Sequence, residues 1–404
     1  MAATLALLLS SLALPSHAAG VRRAGTVENP PCAPAAPATA KAGVIYVVCP
    51  LSTARVRGVQ LLSFTAPGLT KVAVSAWSAD VGGAEVAERE LAVWPGITTT
   101  RIDLSPVPSG PVTVQIRPVA GTALSSAQAT YFQVYNLGSP YRTAAVPRRS
   151  AIAAGKQLVY DDEFNVATSV SADGRGAQYA AAKPEYWGVS QFGDAIFPDP
   201  ARGFDNLGVV DNRYLRLAVQ PNPSGYVDPN GWGRRFIGGM LASARPGGSG
   251  FSARYGYFEA RIASPSTPGT WPAFWLLPAD NLVAPQPVVA EIDALEQYGQ
   301  FPSGTCHTTH SYHDGRDDGV ADCGDRYSSR PDALRWHVYG VSVEPTKIVF
   351  SIDGRVVSTA AQVRGGDKAM FFLLDLDLGG GWPVDLDRVQ NRAAMYVDYV
   401  RVYR

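Results

Sequence analysis

Three carboxylates lie close together in residues 291–296, whose sequence is EIDALE. Apolar residues separate and precede them, which predicts a β-strand. Because alternate side chains of a strand share a face, Glu291 and Asp293 point the same way. Glu296 joins them only if a β-bulge inserts one residue before it, and bulges are common beside active sites. The pattern suits two working carboxylates with a third between them, and the alternative is a solvated acidic strand face.

A second candidate feature is the segment 269–278 (GTWPAFWLLP), which also predicts a strand. Strand parity places Trp271 and Trp275 on one face and Phe274 on the other. Two tryptophans that flank a small residue form a surface on which sugar rings can stack. Buried tryptophans are common in β-sandwich cores, so the pattern alone leaves both interpretations open.

Histidines follow the acidic strand at positions 307, 310 and 313. Parity puts His310 on one face, and it puts His307 and His313 on the other. A zinc site is one alternative, but nothing in the pattern makes the histidines converge on one point. We expect one histidine near the carboxylates and the others at the surface.

The composition of the whole chain indicates an all-β protein with more than one domain. The chain has 404 residues, of which 46% are hydrophobic and 17% are charged, and it contains 40 glycines and 31 prolines. Many turns and few long helices are expected from these values. The 35 basic residues balance the 35 acidic residues without long runs of either sign, which argues against nucleic acid or an anionic membrane as the main partner.

Residues 1–18 predict a secretory signal peptide. Leu5–Leu14 is an apolar stretch of suitable length, and Ser16–Ala18 fits a cleavage site, although no basic residue precedes the apolar stretch. We find no other run long enough to cross a membrane.

The cysteines agree with export. Cys32 and Cys49 are separated by the same interval as Cys306 and Cys323. Of the three pairings that four cysteines allow, we predict the two local ones. Each closed loop would stabilise the fold by about 3 kcal/mol. Free buried thiols are the alternative.

Residues 19–141 predict a smaller β-sandwich, because short strand patterns separated by turn residues recur from about Gly43 onward. Residues 84–91 also fit a helix, and the pattern leaves that choice open. The domain is a candidate carbohydrate-binding or accessory module in which Trp77 or Trp94 would stack on sugar rings. We favour the interpretation that both tryptophans belong to the core. Residues 142–157 predict a linker.

Residues 158–404 predict a larger β domain that carries the acidic strand. Further strand patterns lie at 158–165, 214–219, 255–262, 336–343, 347–357, 369–378 and 395–403. Within them, Asp353-Gly354 predicts a hairpin turn.

From about residue 158 to residue 404 the chain resembles glycoside hydrolase family 16. The acidic segment is similar to the bulged catalytic strand of laminarinase-like members. Other similar blocks follow in the right order, namely DEF at 162–164, FEAR at 258–261, GTWPAFW at 269–275, the Asp-Gly hairpin and VDYVRVY at 397–403. The resemblance implies a concanavalin-like β-jelly-roll sandwich of two curved antiparallel sheets, with an open cleft across the concave face.

The resemblance also implies roles for individual residues. Glu291 corresponds to the nucleophile and Glu296 to the acid/base of a retaining mechanism, which needs carboxyl groups about 5–5.5 Å apart. Asp293 would hold the ionisation states of the two glutamates apart. Trp271 and Trp275 match tryptophans of the cleft.

Further matches are less specific. Glu259 and Arg261 match a cleft-side strand, with a structural ion pair as the alternative. His310 or His313 would supply the histidine found downstream of the acidic strand in laminarinase-like members. The carboxylates of Glu163 and Asp398 match ligands of a structural calcium, with ordinary surface carboxylates as the alternative.

These implications lead to the hypothesis of a secreted or periplasmic, retaining endo-hydrolase of a β-linked polysaccharide. The expected substrate is a β-1,3- or mixed-linkage glucan. Such an enzyme needs no cofactor for catalysis, and we expect a monomer with no nucleic-acid partner and no membrane partner after signal cleavage. The alternatives are a transglycosylase or hydrolase acting on a bacterial exopolysaccharide, and a non-catalytic glycan-binding protein on the same fold.

Overall fold

The computed structural model describes residues 40–80, 85–119, 128–138, 150–325 and 334–404. The predicted signal peptide at residues 1–18, Cys32 and residues 142–149 of the predicted linker lie outside these described residues. In the described part of the chain, no helix has both the length and the apolar character needed to cross a membrane.

The N-terminal part folds into two small sheets. Its strands are β1 (Tyr46–Cys49), β2 (Arg55–Val56), β3 (Val59–Thr65), β4 (Lys71–Ser78), β5 (Glu85–Ala92), β6 (Thr98–Asp103), β7 (Gly110–Pro118) and β8 (Thr130–Asn136). One sheet has the order β1-β3-β6 and the other has the order β2-β8-β7-β4-β5. Alternate apolar residues of both sheets, such as Phe64 of β3 and Val114 of β7, belong to the same core. The segment 84–91, which the sequence left open, is a strand from Glu85 onward.

The two tryptophans of this part differ. Trp77 lies in β4 and is 9% exposed, whereas Trp94 follows β5 and is 68% exposed. The expectation that both belong to the core is therefore right for Trp77 and wrong for Trp94.

The larger C-terminal part contains the remaining strands of the described residues, together with short 3₁₀ helices. The strands are β9 (Leu158–Asp162), β10 (Val170–Ser171), β11 (Tyr179–Ala180), β12 (Lys183–Glu185), β13 (Gly188–Ser190), β14 (Ala195–Ile196), β15 (Leu207–Val210), β16 (Tyr214–Pro221), β17 (Phe236–Ile237), β18 (Gly239–Ala242), β19 (Ala253–Arg254), β20 (Gly256–Ala263), β21 (Thr270–Pro278), β22 (Val288–Glu296), β23 (Gly304–His313), β24 (Arg316–Asp317), β25 (Val320–Asp325), β26 (His337–Val343), β27 (Lys347–Ile352), β28 (Arg355–Ala361), β29 (Ala369–Leu378) and β30 (Ala393–Tyr403). The 3₁₀ helices of the described residues are Ala151–Ala153, Pro200–Arg202, Ala279–Leu282 and Asp387–Val389.

Twenty of these strands build two ten-stranded sheets, and β12 and β13 pair with each other as a separate two-stranded sheet. The carboxylate sheet, named for the acidic strand β22, has the order β10-β11-β18-β29-β21-β22-β23-β24, with β19 paired to β29 and β25 paired to β23. The back sheet has the order β14-β17-β16-β30-β20-β26-β27-β28, with β15 paired to β16 and β9 paired to β30. The resulting architecture is all-β with packed sheets, as predicted. The Asp353-Gly354 hairpin is also confirmed, since both residues have positive φ between β27 and β28.

Strand parity explains how the two sheets form one core. Phe258 and Ile262 of the back sheet belong to the same apolar cluster as Phe274 and Ile292 of the carboxylate sheet. The residues that alternate with these along the strands of the carboxylate sheet point to its other face. Trp275 is one of them, and it belongs to a separate apolar cluster there. That other face is therefore available for a site.

The N-terminal part packs on the outer face of the back sheet. Tyr135 of β8 contacts Tyr214 and Tyr396 at ring distances of 6.4 and 5.9 Å. Ser52 donates a hydrogen bond to the carbonyl of Arg392 at 2.9 Å. This interface lies on the side of the sandwich opposite to the carboxylates.

The end of the predicted linker is packed against the C-terminal part. Residues 151–153 form a 3₁₀ helix in which Ala153 is fully buried. Gln157 and Arg404 exchange two backbone hydrogen bonds of 2.6 and 2.8 Å. The linker prediction therefore does not describe residues 150–157, because their backbone is held by the C-terminal strand.

Candidate active site

The carboxylates reach one face through an irregularity in β22. Along the pairing with β21, Asp293 is followed by Leu295, which makes Ala294 the inserted residue. The pairing with β23 shifts at the same place. Ala294 and Leu295 are both fully buried in the core, so Glu296 returns to the face of Glu291. This geometry confirms the predicted β-bulge.

A cavity of about 200 Å³ opens on this face. Its lining residues are Lys183, Phe192, Trp271, Ala273, Trp275, Glu291, Asp293, Glu296 and Asp375. The structure thus brings together the acidic trio and both predicted tryptophans.

Glu291 lies between positive and negative neighbours. Burial raises the pKa of its carboxyl, and Glu296 adds to the rise. His310 and Lys183 act in the opposite direction, but the net pKa of Glu291 remains above the ordinary glutamate value. Lys183 reaches the cavity from the β12–β13 hairpin, where it also pairs with Glu185 at 3.1 Å.

Asp293 is more deeply buried, at 3% exposure. Burial, followed by the charges of Glu291 and Glu296, raises its pKa well above the ordinary aspartate value. Its Oδ2 atom lies 3.4 Å from Nε2 of His310. One side-chain ligand atom from each of Glu291, Asp293 and His310 lies within 4.8 Å of the other two. The three side chains therefore form one compact group, in which burial and the neighbouring carboxylates favour the protonated form of Asp293.

His310 is held from its other side. Its Nδ1 atom donates to Oδ2 of Asp317 at 2.6 Å, and its ring stacks on Tyr312 at 5.3 Å. The backbone N–H of Ser311 donates to Oδ1 of the same aspartate at 3.2 Å. Burial alone would raise the pKa of Asp317, but the bond and the charge of His310 outweigh it and leave this pKa below the ordinary value.

Glu296 receives hydrogen bonds from neutral donors. Nε1 of Trp271 and the hydroxyl of Tyr298 both donate to Oε1 at 3.2 Å, and the hydroxyl of Thr308 donates to Oε2 at 2.8 Å. A hydroxyl can accept as well as donate, so Tyr298 and Thr308 can hold this carboxyl in either protonation state.

The far wall of the cavity contains an additional acid. Nε1 of Trp275 donates to Oδ1 of Asp375 at 2.6 Å. Asp375 is 1% exposed, and burial raises its pKa well above the ordinary value, although the tryptophan bond opposes the rise. Phe192 packs edge-on against both tryptophans, at 6.0 Å from Trp271 and 5.6 Å from Trp275. The aromatic wall is therefore fixed by packing as well as by hydrogen bonds.

Glu259 and Arg261 do not line this cavity. Both lie on β20 of the back sheet, with side chains on its outer face. Arg261 donates to Asp398 at 2.7 Å and lies 3.4 Å from Asp80 of the N-terminal part. Glu259 is fully buried and accepts from the hydroxyl of Tyr403 at 3.3 Å. The cleft assignment is wrong for both residues, and for Arg261 the structural ion pair is the correct alternative.

Of the two candidate histidines, only His310 faces the carboxylates. His313 lies opposite Val288 in the pairing of β22 with β23, so its side chain points away from the face that carries Glu291. Its Nε2 lies 2.8 Å from Asp318. His307 contacts the Ala294 carbonyl at 3.0 Å and stacks on Phe350. The assignment of His313 to the cleft is therefore wrong, and the three histidines do not form a zinc site.

The predicted calcium ligands do not fit a cation. Arg401 donates to both carboxylate oxygens of Glu163, at 2.7 and 3.0 Å, and Arg261 donates to Asp398. Calcium needs several free oxygen ligands. Here guanidinium groups already neutralise both carboxylates, so the calcium assignment is wrong for this pair.

The disulfide between Cys306 and Cys323 is confirmed. It joins directly opposed residues of β23 and β25, and Cys306 is also the partner of Glu296 across β22 and β23. The disulfide therefore lies on the same face as the carboxylates. Cys49 is also disulfide-bonded, and its predicted partner, Cys32, lies outside the described residues.

The sequence did not single out four residues that contact the site, namely Lys183, Phe192, Tyr298 and Asp317. Strand parity already places Thr308 on the face of His310, as the structure shows, and Asp375 of the pattern 369–378 lies opposite Ala273. No local pattern marks Lys183 or Phe192, because they approach from a distant part of the chain.

A family model described as "Glycosyl hydrolases family 16" matches residues 232–400. Among curated relatives, "Endo-1,3-1,4-beta-glycanase EglC" of Rhizobium meliloti (strain 1021) is 28% identical over 256 residues, which cover 60% of this chain and 51% of the relative. "Beta-glucanase" of Rhodothermus marinus is 32% identical over 170 residues, which cover 37% of this chain and 57% of the relative. The chain thus spans about half the length of these curated relatives.

The solved catalytic domain of an endo-1,3-beta-glucanase (laminarinase) from Thermotoga petrophila RKU-1 is similar in fold. The TM-score is 0.50 at 19% sequence identity, and the match covers 62% of this chain and 98% of that domain. This likeness supports the jelly-roll architecture of the C-terminal part.

Proposed function

Because residues 232–400 belong to glycosyl hydrolases family 16, we propose that this protein is a retaining endo-hydrolase of a β-linked glucan. The observation that carries the proposal is the convergence of Glu291, Asp293 and Glu296 on one cavity through the bulge in β22. The names of the relatives, which are endo-glycanases and glucanases, favour a β-1,3- or mixed-linkage glucan.

In the proposed first step, Glu291 attacks the anomeric carbon as the glycosidic C–O bond breaks. Two features support this role for Glu291: its neighbours Lys183 and His310 favour the ionised carboxylate. Glu296 gives its proton to the leaving oxygen, so charge does not build up on the departing sugar.

In the second step, Glu296 takes a proton from water while the water oxygen attacks the anomeric carbon and Glu291 leaves. The hydroxyls of Tyr298 and Thr308 keep the Glu296 carboxyl in place through both steps, because each can donate or accept. Asp293, whose burial favours its protonated form, lies between the two glutamates and holds their ionisation states apart. The mechanism uses only side chains of this chain.

The surroundings of the cavity support a sugar substrate. The indole nitrogens of Trp271 and Trp275 are committed to Glu296 and Asp375. Trp271 is partly exposed and offers apolar ring surface to a pyranose, whereas Trp275 is 7% exposed and forms part of the cavity wall. We also propose that the protein works outside the cytoplasm, where the Cys306–Cys323 disulfide is stable.

The test is the release of reducing ends, with product sizing, from laminarin, mixed-linkage β-glucan, agarose, carrageenan and a bacterial exopolysaccharide. We expect internal cleavage of one or both β-glucans and no product longer than the starting chain. Longer products would instead show transglycosylation. Binding to a polymer without any product would contradict hydrolysis and support a glycan-binding protein.

A further inference from the structure

Glu291, Asp293 and His310 offer the ligand atoms of a small metal site. One carboxylate oxygen or ring nitrogen of each lies within 4.8 Å of the other two. Carboxylate oxygens and imidazole nitrogens are ligands that transition-metal ions accept. Acidic groups also cluster in catalytic sites that hold no metal, so the surroundings of the three atoms decide whether a cation fits.

Oδ2 of Asp293 is a buried oxygen that the protein leaves without a hydrogen bond. Asp293 is 3% exposed, and this atom accepts no hydrogen bond from any residue that the structure describes. It faces Nε2 of His310 at 3.4 Å, close enough for an ion pair but without the alignment of a hydrogen bond. Such an atom costs free energy in a protein interior unless a partner reaches it. A cation between Asp293 and His310 is such a partner.

The tautomer of His310 makes its Nε2 atom an acceptor. Nδ1 lies 2.6 Å from Oδ2 of Asp317, and a carboxylate can only accept, so Nδ1 carries the proton. In the neutral ring Nε2 then has a lone pair, and this is the form of histidine that binds metal ions. Because Nε2 faces Oδ2 of Asp293, two acceptors are directed at one another, and a metal ion between them would bind to both.

The distance between these two atoms fits zinc. Bonds of about 2.0–2.1 Å at tetrahedral angles place two ligand atoms about 3.3–3.4 Å apart. Oδ2 of Asp293 and Nε2 of His310 are 3.4 Å apart. Glu291 lies directly opposite His310 across β22 and β23, and its flexible side chain can close the remaining gap by rotation. The fourth tetrahedral position is left for water, as in zinc sites with three protein ligands.

The support behind His310 is the kind that metal-binding histidines have. Such a histidine usually donates its other ring N–H to a carboxylate, which fixes the orientation of the ring and raises its basicity. Asp317 has this position here, and it is itself held by the backbone N–H of Ser311 at 3.2 Å. His313, on the other face of β23, has an aspartate against each ring nitrogen, at 2.8 Å and 3.4 Å, so neither nitrogen faces a ligand group of the cavity.

We propose that Glu291, Asp293 and His310 bind one Zn²⁺ ion, or a similar divalent transition-metal ion, and that this ion inhibits the enzyme reversibly. The ion occupies the carboxylate of Glu291, which then cannot attack the anomeric carbon, so metal and polysaccharide exclude each other. On binding, the ion displaces the proton of Asp293, which passes to solvent. The ammonium of Lys183 acts on Glu291 and opposes a second positive charge, which makes the ion an inhibitor and not a resident cofactor. The inhibitory role rests on the proposed function, whereas the binding does not.

The test is a calorimetric titration of Zn²⁺ into the full chain without a purification tag. We expect one ion per chain, with Asp317→Asn weakening the binding about 10- to 100-fold and His310→Ala weakening it at least as much. The matched control is His313→Ala, which removes another histidine of β23 and leaves the binding unchanged. Mg²⁺ should not replace Zn²⁺, because it prefers oxygen ligands in an octahedron. The absence of Zn²⁺ binding by the native chain, or equal binding by native chain and His310→Ala, would overturn the proposal.

A variant with the opposite effect separates the site from damage to the fold. Lys183→Met removes the opposing charge and should tighten Zn²⁺ binding about two- to fivefold, which a destabilised fold would not do. Unchanged or weaker binding by Lys183→Met would contradict a site at Glu291.

Kinetics test the inhibitory role. On the glucan that the native chain cleaves, Zn²⁺ should raise KM without changing kcat, and a chelator should restore the original KM. A lower kcat at unchanged KM would refute exclusion of the polysaccharide. If the native chain cleaved no glucan, the proposed function would fail, while the titration would still decide the metal site.

Discussion

The imidazole of His310 joins two aspartates: its Nδ1 lies 2.6 Å from Asp317, and its Nε2 lies 3.4 Å from Asp293. Asp317 belongs to the short strand β24, which pairs with the end of β23. Gly319 makes the close approach possible, because a Cβ at this position would lie 2.9 Å from the His310 ring. The chain thus builds a defined support behind the histidine that faces the acidic trio.

Asp317→Asn should impair catalysis through the orientation of His310. The amide cannot act as a charged acceptor for Nδ1–H, so the ring loses its fixed position beside Asp293. We expect kcat to fall about 10- to 100-fold, as for small misplacements of catalytic groups, with little change in KM. The pH profile of kcat/KM should also change, since the charge next to the carboxylates changes.

The matched control is Asp318→Asn. Asp318 holds the other histidine, His313, at 2.8 Å on the side away from the cavity. Its replacement should leave kcat and the pH profile as in the native protein. Asp317→Glu should recover part of the activity, and equal effects of Asp317→Asn and Asp318→Asn would refute the support role.

Lys183→Met should move the acidic limb of the kcat/KM profile to higher pH. The nucleophile works only when ionised, so activity is lost as the pH falls through the pKa of Glu291. Burial already raises this pKa, and the ammonium of Lys183 opposes the rise. Removing the ammonium therefore raises the pKa further, and the loss begins at higher pH.

Two variants check the electrostatic origin of that shift. Lys183→Arg keeps the charge and should keep the acidic limb near its native position. Lys368→Met removes an exposed lysine that pairs with Asp280 at 3.9 Å and should have no effect. An acidic limb unmoved in Lys183→Met would show that Lys183 does not act on Glu291.

The catalytic strand was predictable from sequence because its pattern is local. Alternation fixed the shared face of Glu291 and Asp293, and the odd spacing of Glu296 required the bulge that β22 contains. The Asp353-Gly354 hairpin depends on local backbone geometry in the same way. The choice between His310 and His313 was left open, because nothing local shows which face of β23 meets the carboxylates.

Other errors arose from long-range packing. The sequence places Glu259 and Arg261 on one face of a strand, but it does not show which sheet contains that strand or what covers it. The N-terminal part covers that face and supplies Asp80 to Arg261. Similarly, Lys183 reaches Glu291 only because the β12–β13 hairpin folds over the cavity.

Replacing both Cys306 and Cys323 by alanine should destabilise the protein. The disulfide closes a loop of sequence separation 17, for which the lost chain entropy corresponds to about 3 kcal/mol. Calorimetric unfolding should show a lower thermal midpoint for the variant in the absence of reductant. In a strong reductant, the thermal midpoint of the native protein should approach that of the variant. Identical midpoints for the variant and for the native protein with and without reductant would exclude a stabilising role of the disulfide.

Asp377→Asn should alter how stability depends on pH. Asp377 is fully buried, and burial and the nearby Asp375 raise its pKa well above the ordinary value. Because the pKa of Asp377 is higher in the folded than in the unfolded protein, protonation of Asp377 stabilises the fold. This contribution to the free energy of unfolding is complete below the unfolded-state pKa of about 4, and it is lost as the pH rises through the folded-state pKa. The thermal midpoint of the native protein, relative to the variant, should therefore fall as the pH rises from about 4 to neutral.

The change of that difference with pH is the informative quantity. A difference in thermal midpoint that stays the same at every pH would reflect only altered hydrogen bonds from the backbone N–H groups of Ala195 and Leu378 to residue 377. Asp367→Asn, at an exposed position paired with Arg254 at 3.9 Å, is the control and should follow the native protein at every pH.

The central claim is that Glu291 attacks the sugar, and the most direct measurement is reducing-end release by Glu291→Gln on the polymer that the native protein cleaves. Glu344→Gln is the matched control, because Glu344 is partly exposed and pairs with Lys347 at 3.5 Å on the back sheet. We predict that the rate of Glu291→Gln falls at least about 10³-fold, as expected when a covalent nucleophile is lost, while Glu344→Gln keeps the native rate. A Glu291→Gln variant that cleaves the polymer as fast as the native protein would contradict the account.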